Sequence, residues 1–237
     1  MPFVPNLALV LPTPQEGNFS YRVQHNRMSN SETISANPVL ILHGWGGNKP
    51  AHWQEHLFAE LSAAGVPVHY PKQPNPMAPD RDAWLAALST VLESLASEAE
   101  RLTVVAHSLG AISWFHLAAN ADRKLADRVL LVAPPYVMPG IPPTDAPPGV
   151  EGFFPPPMDA DAVARAARET VIVASDNDDY ATFEQSKAYS DRLGVPIYLL
   201  AQAGHISPYW GYGEWPWVRD WCLGKAELPP QPKPQTG

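Results

Sequence analysis

The sequence predicts an α/β fold, with a mostly parallel central sheet of at least six strands and helices on both faces of that sheet. Short apolar runs alternate with segments whose apolar side chains recur at helical spacing. This pattern is typical of strands buried between two layers of helices. A chain of 237 residues is also long enough for one large domain with an ample core. The apolar runs are centred near residues 40, 68, 104, 131, 172 and 198.

The first predicted elements alternate between strand and helix. Helices follow the strands at 39–42 and 66–70, because apolar side chains recur there at helical spacing, as in the four-residue repeat from Trp53 to Leu61. Asp80 is expected to cap the second of these helices. The alternation therefore begins with two β-α units.

The same alternation continues through the second half of the chain. The strand at 102–106 leads directly into a helix at 109–120. Thr182 and Gln185 have the spacing of a capping box, which predicts a helix that ends near Gly194. The remaining predicted elements are a strand at 128–133, a short helix at 160–168, a strand at 171–174, a strand at 197–200 and a closing helix at 214–223.

Proline-rich segments indicate the loops and the ends of the predicted domain, because proline breaks helices and cannot donate a hydrogen bond within a sheet. Residues 1–37 are expected to be an N-terminal extension, either an edge strand at the alternating residues 19–23 or a partly disordered segment. Residues 38–223 form the predicted domain. Within it, segment 134–157 holds ten prolines and is expected to be a lid or a rigid loop. Residues 224–237 are predicted to be a proline-rich, disordered tail.

Composition excludes several classes of function. The formal net charge of −8 and the absence of a basic stripe argue against a nucleic-acid partner. Cys222 is the only cysteine, so no intrachain disulfide is expected. The sequence shows neither a signal-peptide pattern nor an apolar stretch long enough to span a membrane, which favours a cytoplasmic location.

The residues Ala106-His107-Ser108-Leu109-Gly110 lie where a predicted strand gives way to a helix. A serine between small residues at such a turn is the nucleophile elbow of α/β-hydrolases. The flanking residues must be small because the tight turn brings neighbouring backbone close. The pentapeptide therefore predicts an α/β-hydrolase fold with Ser108 as the nucleophile.

An acid and a base follow later strands, where functional groups gather in a parallel sheet. The segment 175–179 follows one strand and His205 follows the last, so the order Ser, Asp, His is that of α/β-hydrolases. His205 would accept the proton of the serine, and a carboxylate would fix the tautomer of the imidazole. Asp178 is favoured because the loop must travel past the strand before it turns; Asp176 is the second choice and Asp179 the third.

Two backbone amides are expected to bind the oxyanion. One belongs to Leu109, directly after the nucleophile, and the other to Trp45 in the glycine-containing loop after the strand at 39–42. His43 in that loop is expected to order the loop and not to take part in the chemistry.

The motifs together resemble a known family. They are His43-Gly44-Trp45-Gly46-Gly47 with His52-Trp53, Asp80 with Asp82-Ala83-Trp84, the pentapeptide around Ser108, Ala174-Ser175-Asp176-Asn177-Asp178, Gly204-His205-Ile206 and Gly213-Glu214-Trp215-Pro216. This set is similar to the small serine hydrolases typified by retinoblastoma-binding protein nine and YdeN. The resemblance covers about residues 38–223. It implies that Ser108 is the nucleophile, Asp178 the acid and His205 the base, although Asp179 stands where the family usually has proline.

Five side chains are candidates to contact the substrate, namely Trp45, His107, Phe153, Phe154 and Trp210. His107 could instead be packed or hydrogen-bonded. Phe153 and Phe154 would line the entrance if segment 134–157 is a lid. Trp210 belongs to a tryptophan cluster that is expected to pack the closing helix against the sheet, with one wall of an apolar pocket as the alternative.

His52 and His56 are spaced as metal ligands on one helix face, but no third ligand is evident, so neither a metal nor a cofactor is expected. The predicted activity is cleavage of a small, partly apolar carboxylic ester through an acyl-enzyme, with amides and thioesters as further substrates. One alternative is acyl transfer to an alcohol by the same nucleophile. Another is a non-catalytic interaction protein on this scaffold, although no particular protein partner is indicated.

Overall fold

The computed structural model of the protein describes residues 21–22, 36–140, 142 and 146–234. Within these residues a seven-stranded sheet runs through the molecule in the order β1-β3-β2-β4-β5-β6-β7. The strands are β1 (Tyr21–Arg22), β2 (Val39–Leu42), β3 (Val68–Pro71), β4 (Thr103–His107), β5 (Ala126–Val132), β6 (Ala167–Ala174) and β7 (Ile197–Leu199).

The strands β2 to β7 are all parallel, and they are the six strands that the sequence predicts. The prediction of an α/β fold is confirmed. Strand β1 is antiparallel to β3 at one edge, with Tyr21 opposite Pro71. The rest of the alternating segment at 19–23 lies outside the described residues.

Each α-helix follows a strand, as the alternation predicts. The helices are α1 (Trp53–Ala63), α2 (Arg81–Ser94), α3 (Leu109–Asn120), α4 (Ala160–Ala166), α5 (Phe183–Leu193) and α6 (Pro216–Cys222). Asp80 accepts a hydrogen bond from the amide of Ala83 at the start of α2, and Thr182 and Gln185 form the predicted capping box of α5. None of the helices in the described part of the chain is long and apolar enough to cross a membrane.

Both faces of the sheet are covered, so alternate residues of one strand enter different cores. On β2, Leu40 and Leu42 pack with α2 and α3, whereas Val39 and Ile41 pack with α1 and α6. All four side chains are completely buried. A fully buried leucine or isoleucine contributes on the order of 2 kcal/mol to folding, which explains why the central strands are apolar on both sides.

The boundary between α4 and β6 differs most from the prediction. Helix α4 ends at Ala166, and β6 begins at Ala167, so the strand starts four residues before the predicted position. The early part of β6 is paired with β5, and an ion pair of 3.1 Å joins Arg128 of β5 to Glu169 of β6. Charged residues interrupt the apolar pattern from which the strand was predicted. Pairing with β5 nevertheless extends the strand to Ala167.

The described part of segment 134–157 contains neither an α-helix nor a strand, and residues 150–153 form one turn of 3₁₀ helix. Phe153 is completely buried, with its ring centroid 5.7 Å from Trp84 and 6.2 Å from His116. The prediction that Phe153 lines a pocket entrance is therefore wrong, because the side chain belongs to the core beneath α2. Phe154 is partly buried against the same core.

Residues 227–233 of the tail contact the domain, where the sequence predicts disorder. The indole Nε1–H of Trp217 donates to the carbonyl oxygen of Glu227 at 3.1 Å, and that of Trp215 donates to Gln231 at 2.7 Å. Lys233 donates to the carbonyl oxygen of Trp210 at 2.7 Å. A proline-rich segment leaves many of its carbonyl groups available, and here they are the acceptors that the buried indole N–H groups of Trp215 and Trp217 require.

We expect removal of residues 227–237 to lower stability by about 2 kcal/mol, because two indole hydrogen bonds are lost together with Pro230 burial. For a domain of this size the melting temperature should fall by roughly 4–8 °C. Thermal unfolding followed by circular dichroism measures the change. Removal of 235–237 alone is the matched control, and an equal loss in both variants would contradict the role of these contacts.

Candidate active site

Ser108 lies at the sharp turn between β4 and α3. Its backbone angles are φ 55° and ψ −126°, a conformation that residues other than glycine rarely adopt. The amide of Ser108 donates to the carbonyl oxygen of Val132 at 2.9 Å, which extends the pairing of β4 and β5 up to the turn. The serine is thereby held at the carboxyl end of the sheet, as the nucleophile-elbow motif predicts.

Two glycines allow the loop after β2 to lie against this turn. A Cβ atom at position 44 would lie 2.7 Å from the Cβ atom of Ser108, and one at position 110 would lie 2.6 Å from the carbonyl oxygen of Leu42. Real Cβ atoms do not come so close to other heavy atoms. Gly44 and Gly110 are therefore required by close approach, and they bring the backbone of residues 44–45 beside the serine.

The structure brings the predicted serine, histidine and aspartate into one chain of hydrogen bonds. Ser108 Oγ lies 2.9 Å from His205 Nε2, and His205 Nδ1 lies 3.0 and 2.9 Å from the two carboxylate oxygens of Asp178. The carboxylate can only accept, so Nδ1 carries the hydrogen and Nε2 is left to accept the serine proton. Asp178 is further oriented by the amide of Tyr180, which donates to Oδ1 at 2.9 Å.

Asp176, the second choice for the acid, points elsewhere. Its Oδ1 atom accepts hydrogen bonds from the backbone amide of Gln202 at 2.7 Å and from the side chain of Gln202 at 3.2 Å. The backbone hydrogen bond is the main reason why the pKa of Asp176 lies below its ordinary value. Asp179, the third choice, is exposed. The geometry thus selects Asp178 from the three carboxylates.

The side chains that follow β6 hold the loop that carries His205. Three successive amides before the histidine each donate to one of these side chains: Gln202 to Asp176, Ala203 to Ser175 Oγ at 2.9 Å, and Gly204 to Asn177 Oδ1 at 2.7 Å. Sequence reasoning missed this role of Ser175 and Asn177. The signal that could have found it is the run of short polar side chains directly after a buried strand.

The amides of Trp45 and Leu109 are available to a ligand. Within the described part of the chain, neither amide donates a hydrogen bond to another protein group. The loop of Trp45 is fixed on the next residue, since the amide of Gly46 donates to the carbonyl oxygen of Pro76 at 2.8 Å. Two donors beside the serine are what a developing oxyanion needs.

His43 fastens the same loop. Its Nε2 atom accepts from the amide of Gln73 at 3.0 Å, so its Nδ1–H donates to the carbonyl oxygen of Gly44 at 2.8 Å. Burial lowers the pKa of His43 and keeps the imidazole in the neutral form that this arrangement requires. The ring therefore connects the loops after β2 and β3.

His107 is hydrogen-bonded to the loop that carries His205 and is not accessible to a substrate. It is buried, and its Nε2–H donates to the carbonyl oxygen of His205 at 2.9 Å. Burial holds the pKa of His107 well below its ordinary value. The prediction that His107 contacts the substrate is wrong, because its polar atom is used within the protein and almost no surface is exposed.

Among the other predicted contacts, Trp45 directly follows Gly44 in the loop that lies against the serine, and it is 37% exposed. Trp210 is half-buried, and its ring packs so closely on Gly204 that no side chain would fit at that position. Sequence reasoning missed Tyr180, whose ring centroid lies 4.5 Å from that of His205. Its place two residues after Asp178 is the only sequence signal for it.

His52 has a structural role at the start of α1. Its Nδ1 atom accepts from the amide of Gln54 at 3.2 Å and so caps the start of α1. Across residues 36–140, 142 and 146–234, no three histidine, cysteine or carboxylate side chains converge in a way that could hold a metal ion.

Comparison with known proteins places this geometry in context. A family model described as serine hydrolase matches residues 39–222. The protein YdeN of Bacillus subtilis is 28% identical over 184 residues, which covers 77% of this chain and 92% of YdeN. The crystal structure of YdeN superposes with a TM-score of 0.67 at 24% identity, covering 80% of this chain and 98% of the other.

Two more distant solved structures share the fold. Est1E of Butyrivibrio proteoclasticus, solved with ferulic acid bound, has a TM-score of 0.61 at 15% identity and covers 86% of this chain and 92% of its own. A monoacylglycerol lipase of Paleococcus ferrophilus has a TM-score of 0.61 at 15% identity, with coverages of 81% and 96%.

The buried His52 predicts a loss of stability in acid. The pKa of His52 is lowered to about 3 in the folded protein, mainly by burial and secondly by repulsion from His205. An unfolded histidine has a pKa of about 6.5. Below pH 6.5 the unfolded chain therefore binds a proton that the folded protein does not. At pH 4.5 this difference costs about 2–3 kcal/mol of folding free energy.

The variant His52→Asn tests this effect, because asparagine can still cap α1 but does not titrate. Urea unfolding at pH 7.5 and pH 4.5 gives the stability change of each protein. We expect His52→Asn to lose about 2–3 kcal/mol less than the wild type between the two values. An identical pH dependence in both proteins would show that His52 is not neutral when folded.

Proposed function

Since this chain belongs to the serine hydrolase family, we propose that it cleaves carboxylic esters through an acyl-enzyme on Ser108. The observation that carries this proposal is the unbroken chain of hydrogen bonds from Ser108 Oγ through His205 to Asp178. A serine hydroxyl is a weak nucleophile until a neighbouring base removes its proton, and this arrangement supplies that base.

Acylation begins when His205 Nε2 accepts the proton of Ser108 and Oγ attacks the carbonyl carbon of the ester. The resulting oxyanion accepts hydrogen bonds from the amides of Trp45 and Leu109, each of which contributes about 3–4 kcal/mol to the transition state. Asp178 stabilises the imidazolium that forms. The tetrahedral intermediate then expels the alcohol, which leaves with the proton from His205.

Deacylation repeats these steps with water. His205 accepts a proton from a water molecule, whose oxygen attacks the acyl carbon and forms a second oxyanion at the same two amides. Collapse breaks the bond to Ser108 Oγ, which regains a proton from His205, and the carboxylic acid departs. These steps use only protein groups and water, so they require no cofactor.

Two further considerations support esters as the substrate class. One of the proteins that share the fold is a monoacylglycerol lipase, and monoacylglycerols are esters. The exposed ring of Trp45 beside the serine also favours a small substrate with an apolar part. Amides and thioesters would follow the same chemical steps, but their cleavage is secondary to the proposal.

Covalent labelling provides the direct test. A fluorophosphonate probe should modify the folded protein once, at Ser108, because the phosphorus atom mimics the tetrahedral centre that the amides stabilise. Intact-mass and peptide mass spectrometry identify the site. Ser108→Ala should abolish labelling and His205→Ala should reduce it strongly. Absence of labelling in a folded wild type would favour a non-catalytic protein on this scaffold.

A pair of carboxylate variants tests the assignment of the acid. Asp178→Asn should lower kcat for p-nitrophenyl acetate by about 10³- to 10⁴-fold, because the amide no longer fixes the tautomer or stabilises the imidazolium. Asp176→Asn should cost less than about tenfold, since its oxygen can still accept from Gln202. Steady-state kinetics on the two variants measure the loss of kcat in each. A larger loss in Asp176→Asn than in Asp178→Asn would assign the acid to Asp176.

A further inference from the structure

Tyr180 presents an exposed aromatic ring directly beside His205. The two ring centroids are 4.5 Å apart, with an angle of 56° between the ring planes. The tyrosine is 58% exposed, whereas the side chain of His205 is only 12% exposed. The ring therefore covers part of the imidazole and displays most of its remaining surface to solvent, which core packing does not explain.

The backbone of Tyr180 is fixed on both sides of its Cα atom. Its amide donates to Asp178 Oδ1 at 2.9 Å, and its carbonyl oxygen accepts from the amide of Tyr136 at 3.0 Å. Neither bond involves the side chain of Tyr180. The ring is consequently presented by a rigid loop, and a ligand that contacts it has little backbone order to create.

A second exposed apolar group lies on the opposite side of the nucleophile. Trp45 is 37% exposed and Met77 is 58% exposed. Met77 lies beside Gly46, since its Sδ atom would be 3.6 Å from a Cβ at that position. The strands β2 and β6 are three positions apart in the sheet, which corresponds to about 14 Å at ordinary strand spacing. Ser108, after β4, lies between these two groups.

The path of the proton in the proposed reaction indicates which part of the ester lies on each side of Ser108. His205 delivers its proton to the oxygen of the leaving alcohol, so the alcohol part of an ester must lie against His205, and the acyl part lies towards Trp45. We infer that Tyr180 is a specificity residue that binds an aromatic alcohol part, which makes esters of benzyl-type alcohols the favoured substrates. This inference rests on the proposed function.

Aromatic rings gain from an edge-to-face or offset contact beyond the gain from burying apolar area. Tyr180 can offer such a contact to a ring next to the scissile oxygen, whereas it offers nothing comparable to a short aliphatic alcohol. Removal of the ring should therefore lower the preference for benzyl acetate over ethyl acetate by about tenfold. The preference is the ratio of the two kcat/KM values.

The experiment compares ethyl, benzyl and cyclohexylmethyl acetate, which share one acyl group. Tyr180→Ala should lower the benzyl-to-ethyl ratio by about tenfold, mainly through KM for the benzyl ester. Tyr180→Leu retains apolar bulk and should lower the rate for benzyl more than for cyclohexylmethyl acetate. Tyr180→Phe should keep the wild-type ratio. Tyr209→Ala is the matched control, since Tyr209 is exposed but contacts Trp210 instead of His205.

The possible outcomes distinguish a failure of the inference about Tyr180 from a failure of the proposed function. Equal losses on all three esters in Tyr180→Ala and Tyr180→Leu would mean that the ring only positions His205, and the inference would be overturned. A fall of the ratio in Tyr209→Ala would overturn it too. If the wild type hydrolyses p-nitrophenyl acetate but not benzyl acetate, the inference about Tyr180 is overturned and the proposed function stands. If it hydrolyses neither p-nitrophenyl acetate nor any of the three esters, the proposed function itself fails.

Discussion

The hydrogen bonds between the loop after β6 and the loop after β7 are the constraint on which the site depends. Strand β7 has three residues and lies at the edge of the sheet, so it cannot by itself fix the loop that follows it. The side chains of residues 175–177 accept three successive amides and carry that loop to His205. His107 holds the carbonyl oxygen of His205 from the other side. These backbone hydrogen bonds position the imidazole independently of its own hydrogen bonds to Asp178 and Ser108.

A second constraint acts at the nucleophile. The positive φ of Ser108 costs on the order of 1–3 kcal/mol, and such strain persists only where the surroundings hold it. Here the pairing of β4 and β5 extends to the amide of Ser108, and α3 begins at the next residue. Gly44 and Gly110 then let the loop after β2 close over the turn. The strain is offset by the packing of two neighbouring elements, and the half-buried Ser108 is held against the loop that contains Gly44.

Much of this arrangement could be predicted from the sequence because it follows from local signals. The apolar runs predicted six strands, and the order Ser, Asp, His at strand ends predicted three side chains that the structure joins by hydrogen bonds. What could not be predicted depends on contacts between distant segments. The burial of Phe153 depends on the course of the described part of segment 134–157, and the contacts of residues 227–231 depend on indole donors that only the folded protein presents. Tyr180 was missed because no local pattern distinguishes a ring beside His205 from an ordinary exposed tyrosine.

The histidines around the site divide between two roles, and burial decides which role each one has. His43, His52 and His107 are buried, and burial lowers their pKa values, so they act as neutral donors and acceptors that fasten loops and cap α1. Repulsion from His205 lowers the pKa values of His52 and His107 further. In the proposed reaction, the positive charge that forms on His205 faces the carboxylate of Asp178, which is hydrogen-bonded to Nδ1. The buried histidines instead serve as neutral hydrogen-bonding groups that hold the surrounding loops in place.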